Sequence, residues 1–134
     1  MTTRARGTFE VSLNPLATYD QAEGGLLGRM SIDKQFRGDL EASSKGEMLS
    51  AGTAVKGSAG YVAIERVSGT LQGRSGTFVL QHSATMARGV PQLNITVVPD
   101  SGTGELAGLA GRMTIAIADG NHSYEFEYTI DEAP

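Results

Sequence analysis

Apolar and polar residues alternate along most of this chain, in short runs parted by glycine-bearing joints, and this period of two constrains the fold more than any other feature. Alternation turns one face of a strand to a core and the other to water, as in half-buried antiparallel sheets. Such runs are read at Gly7 to Leu13, Gly28 to Leu40, Glu47 to Val55, Gly60 to Leu71, Gly76 to Met86, Gln92 to Val98, Arg112 to Ala118 and His122 to Ile130. That makes about eight strands. The one candidate for a helical period, Glu105 to Gly111, is cut by Gly108 and can make no more than a turn or two.

The joints Ser43-Ser44, Lys56-Gly57-Ser58, Gly73-Arg74 and Asp119-Gly120-Asn121 read as tight turns, which force an up-and-down meander. Sequential antiparallel strands in a chain this short remove their exposed edges by closing. The expected fold is therefore all-β, a closed eight-stranded antiparallel up-and-down barrel, with a two-sheet sandwich as the structural alternative. The longest irregular stretch, Pro99 to Gly111, reads as a cap over one barrel mouth. Eighteen glycines against four prolines show no collagen-like period and are assigned to turns, bulges and barrel corners.

The 134 residues suit a single barrel domain spanning 1–134, and hence one site. Cysteine is absent, which removes disulfides, thiolate nucleophiles and zinc–thiolate sites and favours a reducing compartment. The N-terminal Met-Thr-Thr-Arg-Ala-Arg has no apolar signal region and no stretch is long enough to span a bilayer, so the expected location is cytoplasmic, with no membrane partner. Fifteen acids and eleven bases are mixed along the chain to a net charge of −4, leaving no basic stripe for nucleic acid.

Strand parity sorts the faces. Phe9, Val11 and Leu13 share a side; so do Met30, Ile32, Phe36 and Leu40; so do Leu93, Ile95 and Val97, then Met113, Ile115 and Ile117, then Tyr124, Phe126, Tyr128 and Ile130. Four ionisable residues fall on the apolar side: Lys34, Glu47 beside Leu49, Glu65 and His82. A two-residue turn at Gly73-Arg74 sets Val67 opposite Leu80, Gly69 opposite Phe78 and Glu65 opposite His82. Carrying the register across Ser43-Ser44 and Gly57 brings Phe36 and Ala51 into one row and Lys34, Thr53, Ala63 and Ala84 into the next. The inference is a cavity with aromatic and aliphatic walls, formed by Met30, Phe36, Ala51, Phe78, Leu80, Tyr124 and Phe126, whose few polar groups are Glu65, His82, Lys34 and Tyr61.

Each residue also has a plainer reading. Glu65 and His82 serve equally as a satisfied core pair, and a bulge at Gly28 or Gly38 returns Lys34 to solvent. Glu47 reads as a rim charge and His122, just after a turn, as exposed. Tyr124 and Tyr128 read as core as readily as ligand contacts. No HExxH or GxxxxGK[ST] motif occurs and the two histidines lie on different strands, so neither a metal nor a cofactor is expected. GTGELAGLAG superficially resembles a phosphate-binding loop but lacks the strand-to-helix setting that such loops need.

The run LGRMSIDKQFRGDLEASSKGEMLSAGTAVKGSAGYVAIERVSGTLQGRSGTFVLQHSATM, with VVPDSGTGELAGLAGRM and HSYEFEYTI after it, resembles an uncharacterised bacterial family catalogued as a domain of unknown function. The likeness covers nearly the whole chain. It implies an allene oxide cyclase-like barrel, related in shape to calycins and often homo-oligomeric. It transfers no catalytic residue. Allene oxide cyclases act by shaping a flexible apolar substrate, and no motif of theirs maps onto this chain residue by residue.

Two functions from different classes follow. One is a module binding a small apolar or aromatic molecule inside the barrel; the other is a cyclase, isomerase or lyase in which a Glu65-oriented His82 moves a proton. A filled barrel that works through its surface is the third possibility. Val62, Ile64 and Val79 make the outer wall more apolar than a monomer needs, so a dimer or trimer is expected.

Overall fold

The computed structural model describes residues 2–21 and 26–131; the expected span of 1–134 thus includes residues 1, 22–25 and 132–134, which lie outside it. Its strands are β1 (Thr3–Leu16), β2 (Leu27–Gly38), β3 (Leu40–Gly52), β4 (Ala59–Leu71), β5 (Arg74–Ala87), β6 (Val90–Val97), β7 (Leu109–Ala118) and β8 (Asn121–Ile130). They close in sequence order into an antiparallel barrel, β8 pairing with β1. The only helical piece among the described residues is the 3₁₀ turn Gly104–Leu106, and no helix is long and apolar enough to cross a membrane.

Directly paired residues trace a path round the wall from Ala5 through Phe126, Met113, Ile95, His82, Ala63, Met48 and Met30, and rejoin β1 at Pro15, a stagger of ten residues. Such a stagger tilts the strands and sets the width of the interior. One half of that interior is filled. Phe36, Leu40, Leu71, Phe78 and Phe126 are buried there, Phe78 and Phe126 stacking at 5.9 Å. The cap expected from Pro99 to Gly111 closes this end: Leu106 is fully buried, and Thr103 donates its N–H to the Thr77 carbonyl at 2.8 Å.

Two hairpins differ from expectation. The β2–β3 turn lies at Gly38-Asp39, where Gly38 takes a φ of 107° that favours glycine. Asp39 is held by β1, accepting from the Arg6 N–H at 2.9 Å and donating its own N–H to the Arg6 carbonyl at 3.0 Å. Ser43-Ser44 is mid-strand. This reverses the parity assumed for β3: Ala42, Ser44, Gly46 and Met48 face inward, whereas Glu47, Leu49 and Ala51 do not, and Phe36 pairs with Ala42 instead of sharing a row with Ala51.

The β4–β5 turn is centred on Gln72-Gly73, so Val67 pairs with Phe78, Glu65 with Leu80, Gly69 with Gly76 and Ala63 with His82. The slip from the expected register is two residues. An even slip leaves every side chain on its face, which is why Glu65 and His82 still point inward. Phe78 covers Phe126 and not Gly69. His122 also departs from expectation: half-buried, its ring lies 5.1 Å from that of Phe9.

At the filled end the Tyr124 hydroxyl accepts from the Leu40 N–H at 2.9 Å and lies 3.0 Å from the Arg37 carbonyl, to which it donates. A buried N–H left without its partner costs about 1–3 kcal/mol. Tyr124→Phe is expected to lower unfolding free energy by about that amount in urea titrations with an unchanged m-value.

Candidate functional site

The polar centre is a single carboxylate. Glu65 on β4 is fully buried, and its two oxygens meet three donors drawn from three other strands. Lys34 Nζ on β2 lies 2.9 Å from Oε1, His82 Nε2 on β5 lies 2.6 Å from the same oxygen, and Ser44 Oγ on β3 donates to Oε2 at 2.6 Å. On β3, Gly46 stands between Glu65 and Ile32 of β2, packed closely against β4. A Cβ there would sit 2.1 Å from the Ile64 carbonyl oxygen and 2.8 Å from Glu65 Cβ. Only glycine fits without a backbone shift. Lys34 also lies 5.1 Å and 5.6 Å from the ring centres of Phe9 and Phe36, so its cation faces a carboxylate on one side and π-faces on another.

Burial raises the carboxyl's pKa, and the His82 hydrogen bond, the Lys34 charge, the Ser44 hydrogen bond and the His82 charge together outweigh it, lowering Glu65 to about 2. Glu65 is thus ionised across the ordinary range. A carboxylate oxygen only accepts, so His82 carries hydrogen on Nε2. None of the described hydrogen bonds uses His82 Nδ1, and no buried side-chain N or O atom among the described residues lacks a partner.

The other half of the barrel is open. A cavity of about 400 Å³ opens at the mouth formed by the ends of β3 to β6, walled by Met48, Ser50, Tyr61, Ala84, Met86 and Leu93 among others. Grooves of similar size elsewhere, such as that lined by Arg6, Thr114, Ser123 and Glu125, carry a larger polar share. The mouth cavity is the most apolar of these. Its wall stops one row short of the charged cluster: Tyr61 pairs with Ala84, and the next inward pair on the same strands is Ala63 with His82. Met48 is in that row too, paired with Ala63, so a flexible unbranched side chain borders both. Burial and the Glu65 charge both raise the Tyr61 pKa, so the phenol stays protonated and able to donate.

Of the sequence candidates, Glu65, His82 and Lys34 come together, and Tyr61 and Ala51 line the mouth. Ala51 does so from the strand rim, not beside Phe36. Met30 is half-buried and paired with Met48. Phe36, Phe78, Leu80, Tyr124 and Phe126 pack the filled half beyond the cluster, away from the cavity wall. Sequence reasoning missed Ser44, Gly46 and Met48. Placing the turn at Gly38-Asp39 is the signal that would have found all three. Glu47 is an outer residue whose Oε1 accepts from Arg29 Nε at 2.7 Å. Among the described residues no three His, Cys, Asp or Glu side chains gather in a metal-binding group.

Fold and site together define the class: a closed eight-stranded antiparallel barrel, half filled, with a buried carboxylate tied to a lysine, a serine and a histidine. The chain belongs to the family described as "Protein of unknown function (DUF3224)", which it matches over residues 5–128. A crystal structure of a DUF3224-family protein of unknown function from Shewanella oneidensis MR-1 is similar, with 55% sequence identity and a TM-score of 0.95, over 99% of this chain and 100% of that one. No curated protein matches.

Removing one partner from a buried ion cluster leaves an uncompensated charge and costs about 3–5 kcal/mol. Glu65→Gln is expected to lower stability by that order at pH 7. The folded carboxyl titrates near 2 and the unfolded one near 4.5, so the parent's advantage is complete above pH 4.5 and fades as pH falls toward 2. Denaturant titrations of parent and variant at several pH values should converge over that window.

Proposed function

We propose that this protein binds a small, largely apolar molecule in the mouth cavity, whose polar contacts are the Tyr61 and Ser50 hydroxyls and whose wall ends one row above the Glu65–His82–Lys34 cluster. The observation that carries the reading is the uneven filling of the barrel. Large rings occupy one half, whereas small or flexible residues, Ser50, Ala59, Gly60 and Ala84 with Met48 and Met86, border about 400 Å³ in the other. That volume lies within the range of small-molecule sites, and an apolar wall with few polar groups is their usual makeup. The cysteine-free composition supports a cytoplasmic setting.

Ala84→Trp puts a large ring into the cavity from a half-buried position. Titration with the neutral fluorophore N-phenyl-1-naphthylamine should show saturable binding to the parent and at least a tenfold weaker affinity in the variant, with unchanged far-ultraviolet circular dichroism. No saturable binding, or equal binding by both proteins, would remove the cavity as the site.

The outer wall supports a second copy of the chain as partner. Leu49 (55% exposed) pairs with Val62 (52%), Ile64 (51%) follows on the same face, and Leu27 (52%) lies on the neighbouring strand. Val79 contributes less, being half-buried where Ser101 Oγ accepts its N–H at 3.0 Å. Sedimentation equilibrium at micromolar concentration should give a dimer or trimer, and Val62→Lys should shift it to monomer. A parent that sediments as a monomer refutes the assembly.

A further inference from the structure

Resting on the binding reading above, we propose that the mouth cavity selects neutral apolar molecules that carry a carbonyl group, and that Tyr61 selects them by donating a hydrogen bond to the carbonyl oxygen. Tyr61 shares the parity of Ala63 and Glu65 on β4, so alternation turns its ring into the barrel, and the residue is half-buried on the cavity wall. The charge of Glu65 acts on the phenol, as it does on a group turned to the interior; in bulk water it would be screened.

The hydroxyls of the interior are of two kinds. Ser44 donates to Glu65, and the Tyr124 hydroxyl joins Leu40 and Arg37, so both are matched within the fold. The hydroxyls of Tyr61 and Ser50 have no hydrogen-bonding partner among the described residues, and both residues border the cavity. A ligand that displaces water from such a hydroxyl and offers no acceptor leaves it unpaired, at a loss of roughly five- to a hundredfold in affinity. A carbonyl oxygen removes that loss. The two hydroxyls differ in aim. Ser50 is paired with both Tyr61 and Gly28, and a Cβ on Gly28 would sit 2.6 Å from Ser50 Oγ, so this hydroxyl leans toward β2, away from Tyr61.

Two further observations set the class of ligand. The phenol keeps its hydrogen at neutral pH, because burial and the Glu65 charge both raise its pKa, so it offers a donor and requires an acceptor. No charged side chain borders the cavity among the described residues, so nothing on the wall matches the charge of a carboxylate or an amine. A carbonyl is a neutral group that accepts and donates nothing. The rest of the wall, including Met48, Ala84, Met86 and Leu93, meets the ligand's hydrocarbon part.

The test compares 1-tetralone with tetralin, the hydrocarbon of the same shape, as competitors that displace N-phenyl-1-naphthylamine from the full chain. Tyr61→Phe is expected to weaken 1-tetralone at least about fivefold and tetralin less than about twofold, with unchanged circular dichroism. Ser50→Ala should leave the ratio of the two within about twofold of the parent's. The anion tetralin-2-carboxylate should bind the parent at least about tenfold more weakly than 1-tetralone. A second reading needs no variant: the carbonyl stretch of bound 1-tetralone should lie at lower frequency than in dry cyclohexane. A ratio that Tyr61→Phe leaves unchanged, a ratio lost in Ser50→Ala instead, a carboxylate bound as tightly as the ketone, a stretch as in cyclohexane, or probe binding that 1-tetralone does not displace overturns the selection and leaves the binding reading standing. No saturable binding of the probe overturns both.

Discussion

The buried charge of Glu65 is the constraint on which the rest of the barrel depends. An ion removed from water must be met by donors with good geometry, and here they come from β2, β3 and β5 around a carboxylate on β4. Four consecutive strands are thereby tied in register. A slip of one residue in any of them would turn Lys34, Ser44 or His82 to the outer wall and strand the carboxylate. Gly46 belongs to the same device, because a Cβ there would collide with the Ile64 carbonyl and Glu65, the residue it pairs with on β4.

The cluster also divides the interior. Beyond it, from Phe36 and Leu80 to the cap, buried rings and leucines pack into one core. On its other side the residues shrink, with Ala63 in the cluster's own row and Ala84 and Gly60 further toward the mouth. The charged cluster thus stands between the two halves, its carboxylate satisfied by its own donors.

The barrel, its meander order and the inward placing of Glu65 and His82 were legible because alternation and strand count survive errors at the turns. The β4–β5 register was misread by two residues and the Glu65–His82 contact persisted, since two is the period of the strand and the side chains reach diagonally. The β2–β3 turn was misread by an odd step, and there the faces exchanged: Glu47, Leu49 and Ala51 were placed inside while Ser44, Gly46 and Met48 were overlooked. Nothing local distinguishes Ser43-Ser44 from a turn. What keeps Ser44 in a strand is a carboxylate on another strand, and what makes Gly38-Asp39 the turn is Arg6, far away in the sequence.

The electrostatics of the cluster also bear on what the cavity can accept. Lys34 and Glu65 offset one another at 2.9 Å, so an ionic ligand would bring an unmatched charge into an apolar mouth, at a cost that the half-buried Tyr61 phenol and Ser50 hydroxyl are too few to meet. A neutral ligand carries no such penalty.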